Sequence, residues 1–346
     1  MKILKFLLLT LTIVILAACG DDSSDTSITT SASGDEKVYT LKVAHSSAAT
    51  DDRLENSLQE FKKSIEERTD GRIIIETYPN SQLGAERETL EGVQNGSIEM
   101  AVISTGPFSG FSQSMMLLDL PYLFKNGEEA FGILDGEFGD KLFENLLADT
   151  GMRGLAWGEN GVRHMANNIK KIETPADVDG LKIRTQENQA HMDMIKAFGG
   201  GPTPIAFNEL YSSLQQGVID GYENPFSLIV GMKFYEVTKY LTLTSHVYGV
   251  YGFVINDDVY NTLPADLQQI LEEEADKWAV VEREMNQEQE EKGRKVMEEY
   301  GVEITELTDE QYKAFRDLAM PVVESYRDVV GAEIYDLLME NLEANK

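Results

Sequence analysis

Apolar and polar residues alternate over "YTLKVAHSS" (39–47), with Leu41 and Val43 on one side and Thr40 and Lys42 on the other. That period of two predicts a strand. The period then lengthens. Leu54, Leu58, Phe61 and Ile65 recur at spacings of four, three and four within 51–69, which predicts an amphipathic helix. "GRIIIETYPN" (71–80) reads as a strand opened by Gly71 and closed by a Pro-Asn turn. A helix over 85–95, stopped at Gly96, and a strand over 98–104 follow. The order β-α-β-α-β predicts an α/β fold, an open sheet with helices on its faces.

Beyond this the pattern loosens. An apolar stretch (115–124) is broken at Pro121, and helices are expected over about 127–149. "MRGLAWGEN" (152–160) and "GVRHMANN" (161–168) read as two strands. Thr174-Pro175-Ala176-Asp177 has the chemistry of a helix start, and the strand after it ends at Arg184. A helix over 189–198, a strand "GPTPIAF", a helix capped by Asn208 and a turn at "YENP" come next. A β-rich run (248–261) leads into one very long helix, 263–301, entered at Pro264. Its apolar positions thin out after Val281, too few for a coiled coil. A short strand at "VEITELT" and two helices over 309–344, broken at Pro321, complete the chain. No short period repeats.

The first residues obey a different rule. "MKILKFLLLTLTIVILAAC" sets Lys2 and Lys5 before an apolar run and small residues before Cys19, the order of a secretion signal. Leu16-Ala17-Ala18-Cys19 resembles a bacterial lipobox, which implies cleavage before Cys19 and lipidation of its thiol. Residues 20–37 are small and polar and read as a flexible tether. Cys19 is the sole cysteine of the 346 residues, so no intrachain disulfide is available. Hydrophobic content of 42% and charged content of 26% fit a soluble globular body large enough for two domains.

Net charge is −30, and −32 once the segment carrying Lys2 and Lys5 is removed. Such an excess, spread along the chain, argues against nucleic acid as a partner, because phosphate contacts need clustered Lys and Arg. Four histidines occur, none at a metal-ligand spacing. Zinc-thiolate sites and a cysteine nucleophile are excluded, and no G-x-S-x-G elbow, P-loop or dinucleotide fingerprint is present. "AFGGGP" (197–202) ends a helix rather than opening one, so it reads as a helix stop. No cofactor or metal is expected. A pair of carboxylates suited to glycoside hydrolysis is not excluded among 60 acids.

"NGVRHMANN", "GLKIRTQENQ" and "FGGGPTPIAFNELYSSLQQGVIDGYENP" together resemble the core of the TRAP-transporter solute-binding proteins, the DctP family. "LDLPYLF", "KFYEVTKYLTLTSH" and the opening segment extend the resemblance over about 38–320. It implies a two-lobed, periplasmic-binding-protein-like α/β fold with open mixed sheets, a strand hinge and a long helix spanning both lobes. The expected boundaries are a signal at 1–18, a tether at 19–37, lobe 1 from 38–162 with 250–346, and lobe 2 from 163–249. The implied function is capture of an organic acid outside the cytoplasm and delivery to an ion-driven membrane permease, with no chemistry on the ligand. A secreted carboxylate-dependent glycosidase and a binding module for a sensor kinase are the alternatives.

By the resemblance, Arg184 is the fork for the solute carboxylate, Arg163 its second arginine and Asn224 the site amide. Ligands of open α/β sheets lie outside the carboxyl ends of strands, where Arg184 falls. Gln82, His45 and Trp157 follow strands of the first lobe and are candidates for the distal part of the solute, as are Glu86, Gln186 and Asn188. Phe207 and Tyr248 are candidate pocket walls. Many relatives carry a proline two positions after this arginine; here "RTQENQ" is polar, which suggests hydroxyls on the ligand, as in a uronate or aldonate rather than a bare C4-dicarboxylate.

Overall fold

The computed structural model describes residues 37–345. The signal, the tether to Glu36 and Cys19 lie outside these residues. Among the described residues nine strands form one mixed sheet: β1 Tyr39–Ala44, β2 Ile73–Tyr78, β3 Met100–Ser104, β4 Met152–Asn167, β5 Lys182–Thr185, β6 Gly201–Pro204, β7 Gly221–Asn224, β8 Tyr240–Asn256 and β9 Glu303–Glu306. The order is β2-β1-β3-β8-β4-β7-β5-β6, with β9 pairing alongside β8. β1, β2 and β3 run parallel at one end and β5, β6 and β7 at the other. The antiparallel pair β4 and β8 joins the two groups.

The first helix shows how the pattern becomes structure. Asp52 caps Arg53–Arg68 by accepting from the backbone N–H groups of Leu54 and Glu55. Leu54, Leu58, Phe61 and Ile65 then pack against Leu41, Val43, Ile73 and Ile75 of the sheet. Each such side chain contributes roughly 1.5–3 kcal/mol on burial.

Three local expectations are corrected. The strands expected at 152–160 and 161–168 are one strand, β4, with register shifts between Gly154 and Ala156, Glu159 and Gly161, and Arg163 and Met165. Gly161 has φ +113° and no room for a side chain, since a Cβ there would stand 2.8 Å from that of Pro225. Glycine here makes a bulge in a continuous strand, not a break. Asn208 lies inside a single 3-10 turn, Phe207–Glu209, entered from Ala206. Pro321 does not break its helix, which runs Asp309–Ser325. Pro321 is exposed, so the carbonyl its ring leaves without a partner faces solvent, and the chain turns instead at Gly331.

The long helix is Ala265–Tyr300, 36 residues. Its first half packs Leu267, Leu271, Ala275 and Trp278 against the β1–β3 end, and Met297 joins the cluster of Phe207, Tyr222 and Phe226 at the other end. The last helices likewise divide. Phe315 and Ala319 pack with Ile183 and Phe198, whereas Tyr335 and Leu338 pack with Leu134 and Leu142. Among the described residues no helix is long and apolar enough to cross a membrane.

Candidate functional site

Arg184 is the third residue of β5, flanked by Thr203 of β6 and Tyr222 of β7. Three short parallel strands thus fix its backbone, and its side chain is 1% exposed. Nε donates to the carbonyl of Ile205 at 2.8 Å. Nη1 is buried and meets no acceptor among the described residues. The guanidinium stands 5.9 Å from the ring centroid of Phe207. Burial pulls its pKa down to about 10, with Glu223 and Glu86 supporting the charge and Arg163 opposing it, so the group stays cationic at neutral pH.

Arg163, on β4, is equally buried and differently placed. β4 and β7 pair so that His164 faces Asn224 and Met165 faces Glu223. The guanidinium therefore meets β7 at close range. Nε donates to the Glu223 carboxylate, and Nη2 donates to Glu223 Oε1 and Asn224 Oδ1, both at 2.8 Å. Nη1 reaches Asn160 Oδ1 at 3.1 Å. Burial alone would raise the Glu223 carboxyl; Arg163 and a 3.4 Å contact from His246 Nε2 outweigh it and hold it well below the usual carboxylate range. Asn224 offers its acceptor to Arg163 and keeps a buried Nδ2 without a partner. Two unpartnered donors, Arg184 Nη1 and Asn224 Nδ2, thus belong to one charged cluster with Glu223 at its centre.

The candidates after Arg184 reach across the molecule. Gln186 Nε2 donates to Ser104 Oγ at 2.7 Å. Ser104 Oγ and Ser46 Oγ both donate to Glu86 Oε1, at 3.0 and 3.2 Å. Glu86 is buried, and its carboxyl is raised by that burial against the pull of Ser104 and Arg184. Asn188 caps Gln189–Ala197 with its oxygen and donates to the carbonyl of Gly106 and to Asp119 Oδ2, at 3.1 and 3.0 Å. His191, one turn on, lies between Asp119 and Glu223, at 3.6 and 3.9 Å.

The other candidates stand elsewhere. His45 is bonded to Glu55 at 2.8 Å. Trp157 is core, stacked on Phe143 with centroids 3.8 Å apart. Tyr248 donates to Glu159 at 2.5 Å and packs edge-on to Phe131. Gln82 is exposed in the turn after β2. A cleft of about 590 Å³ beside Trp157, Arg153 and Arg283 includes none of the Arg184 cluster. Sequence reasoning missed Glu223, His191, His246 and Asp119. The usable signal was Glu223 itself, an acid between Tyr222 and Asn224 in a four-residue strand buried throughout. Among the described residues no three His, Cys, Asp or Glu side chains are placed to hold a metal ion.

The family model described as DctP, bacterial extracellular solute-binding protein, family 7, matches residues 43–328. The chain belongs to this family. The C4-dicarboxylate-binding periplasmic protein DctP of Rhodobacter capsulatus is 35% identical over 275 residues, which cover 79% of this chain and 82% of that protein. The sugar acid binding protein of Advenella mimigardefordensis, solved with galactonate, superposes with a TM-score of 0.87 at 29% identity, covering 90% of this chain and 99% of its own. A TRAP periplasmic solute-binding protein from Polaromonas, solved with D-erythronate, gives 0.83 at 35% identity, covering 87% and 98%. This DctP-family chain is an extracytoplasmic solute-binding protein of the TRAP type, with the two-lobed fold of these structures.

Proposed function

We propose that the protein captures a sugar acid by its carboxylate on Arg184, between two lobes joined by β4 and β8, and delivers it unchanged to a TRAP-type permease. The observation that carries this reading is the buried Arg184 guanidinium with Nη1 lacking any acceptor, beside the equally unpartnered Asn224 Nδ2. A buried donor left unmade is costly, and a carboxylate matches a guanidinium fork. Arg163 is neutralised by Glu223, so its role is to hold the Asn224 oxygen and leave the amide nitrogen free for the ligand. The solved relatives with galactonate and D-erythronate favour an aldonate. The likeness to the Rhodobacter capsulatus protein supports a C4-dicarboxylate as the second reading. Cys19 would carry the lipid that keeps the protein at the membrane.

A thermal-shift screen of galactonate, erythronate, glucuronate, succinate and malate tests this. A bound acid at a hundred times its Kd adds about 2.7 kcal/mol of stability and raises the melting temperature. Stabilisation by the aldonates, with the acid recovered intact, supports the proposal. Stabilisation by succinate or malate alone selects the dicarboxylate reading. Turnover of a glycoside would sink the transport role.

A further inference from the structure

The polar run after Arg184 is expected to meet hydroxyls of the solute. Its Gln186 and Asn188 amide nitrogens also bond to protein. Gln186 binds Ser104, and Asn188 binds the Gly106 carbonyl and Asp119. Their partners all lie in 104–119, the segment between the end of β3 and the 3-10 turn Gln113–Asp119. The proposed lobe boundaries put 104–119 in one lobe and 186–191 in the other. The side chains of Gln186, Asn188, Ser104 and Asp119 are all buried. Gly106 is fitted to this contact, since a Cβ there would stand 2.4 Å from Gln186 Oε1. These bonds lie directly past the end of β5, where the chain leaves Arg184.

We infer that Gln186 and Asn188 are clasp residues, tying 104–119 to the end of β5 to set how tightly the acid is held, and that closing the clasp takes up one proton from solvent onto Asp119. The inference rests on the proposed two-lobe capture. Asp119 accepts from Thr105 Oγ1 at 2.8 Å and from Asn188 at 3.0 Å. The ionisable groups that face it are His191 from Gln189–Ala197, at 3.6 Å, Arg163 from β4 and Glu223 from β7. Arg163 is already paired with Glu223, and burial lowers His191 to about 3, so neither brings a free cation. Burial raises the Asp119 carboxyl to about 7 against Thr105, Arg163 and Asn188. Separated from 186–191 and open to water, the same carboxyl returns toward its ordinary value of 3.8. The closed form therefore binds a proton that the open form lacks between these two values. Closure is favoured at low pH, and that advantage is lost as pH rises toward 7, levelling off above it.

The experiment is calorimetric titration with galactonate from pH 5 to 8, each pH in two buffers of different ionisation heat. The wild type should take up close to one proton at pH 5.5 and little at pH 8, with affinity falling by about tenfold per pH unit between 5 and 7. Asp119→Asn should bind without proton uptake and with an affinity independent of pH. Asn188→Asp keeps the oxygen that caps the helix and loses the donor, so it should fold normally and bind at least tenfold more weakly at pH 8. Binding without uptake in the wild type, or uptake that survives in Asp119→Asn, overturns the clasp and leaves acid capture standing. Failure of galactonate and every other acid of the screen to bind overturns acid capture, and the clasp with it.

Discussion

Two arginines, Arg53 at the β1–β3 end and Arg184 at the β5–β7 end, are both buried, and their surroundings differ in one respect. Arg53 Nη1 reaches Glu282 of the long helix at 2.7 Å, and Nη2 the carbonyl of Asn160 at 3.2 Å. Glu282 in turn accepts from the backbone N–H of Glu159 at 2.6 Å. Arg184 makes no ion pair among the described residues and has one hydrogen bond, on Nε. A buried cation with its anion inside the protein is a structural element. The same cation without one is an unfinished pair, and under the proposed function the carboxylate of the solute is its missing half.

Identical substitutions at the two positions should therefore have opposite signatures. Arg53→Met strands Glu282 as an uncompensated buried acid. It should cost about 3–5 kcal/mol in a denaturant unfolding experiment and leave acid affinity nearly unchanged. Arg184→Met should cost about 2–5 kcal/mol of binding in calorimetry. Its melting temperature without acid should hold or rise, because a desolvated charge has been removed. Equal losses of stability at both positions would erase the contrast.

The acid limb of the stability curve sharpens it next. Glu223 lies below its ordinary value of 4.5 in the fold, so its contribution is present above that value and is lost as pH falls beneath it. Glu223→Gln should flatten the loss of stability below about pH 4.5 by up to about 1.4 kcal/mol per pH unit. A limb as steep as the wild type's would show that the Arg163–Glu223 pair is not formed. The smallest effects belong to candidates outside the cluster. Tyr248→Phe removes one hydrogen bond to Glu159 and should cost about 1–2 kcal/mol of stability with no change in affinity. Gln82→Ala should be within about 0.5 kcal/mol on both measures. A large affinity loss at either residue would move the site toward the first strands.

The legible parts of the fold were those with one dominant period. The helix carrying Leu54, Leu58, Phe61 and Ile65 and the helix from Ala265 lie within about two residues of their expected ends. β4 was read as two strands because Gly158 and Gly161 look like punctuation, and a bulge and a break carry the same local signal. At the candidate site, Arg184 was singled out from its place at a strand end within the family motif. Glu223 was not singled out: its place between Tyr222 and Asn224 is a local signal, but only the antiparallel pairing of β4 with β7 sets it against Arg163. Gln186 and Asn188 were singled out as ligand contacts, but their bonds to Ser104 and Asp119 were not legible, because a sequence cannot show which residues stand opposite them.

The register of β4 and β8 has a further consequence, for the order in which the molecule is assembled. Met152 pairs with Asn256, and Asn167 with Tyr240. Every rung of the central ladder joins residues on the order of a hundred positions apart, and closing such loops is slow. β3 must also wait for β8 before its far edge is covered. A chain leaving the ribosome can thus pair β1 with β2 and β3 early, but the ladder that joins the two groups of strands must wait for β8. Once Asn256 has been made, the central ladder can close, and the strands before and after it become one sheet in a single late step.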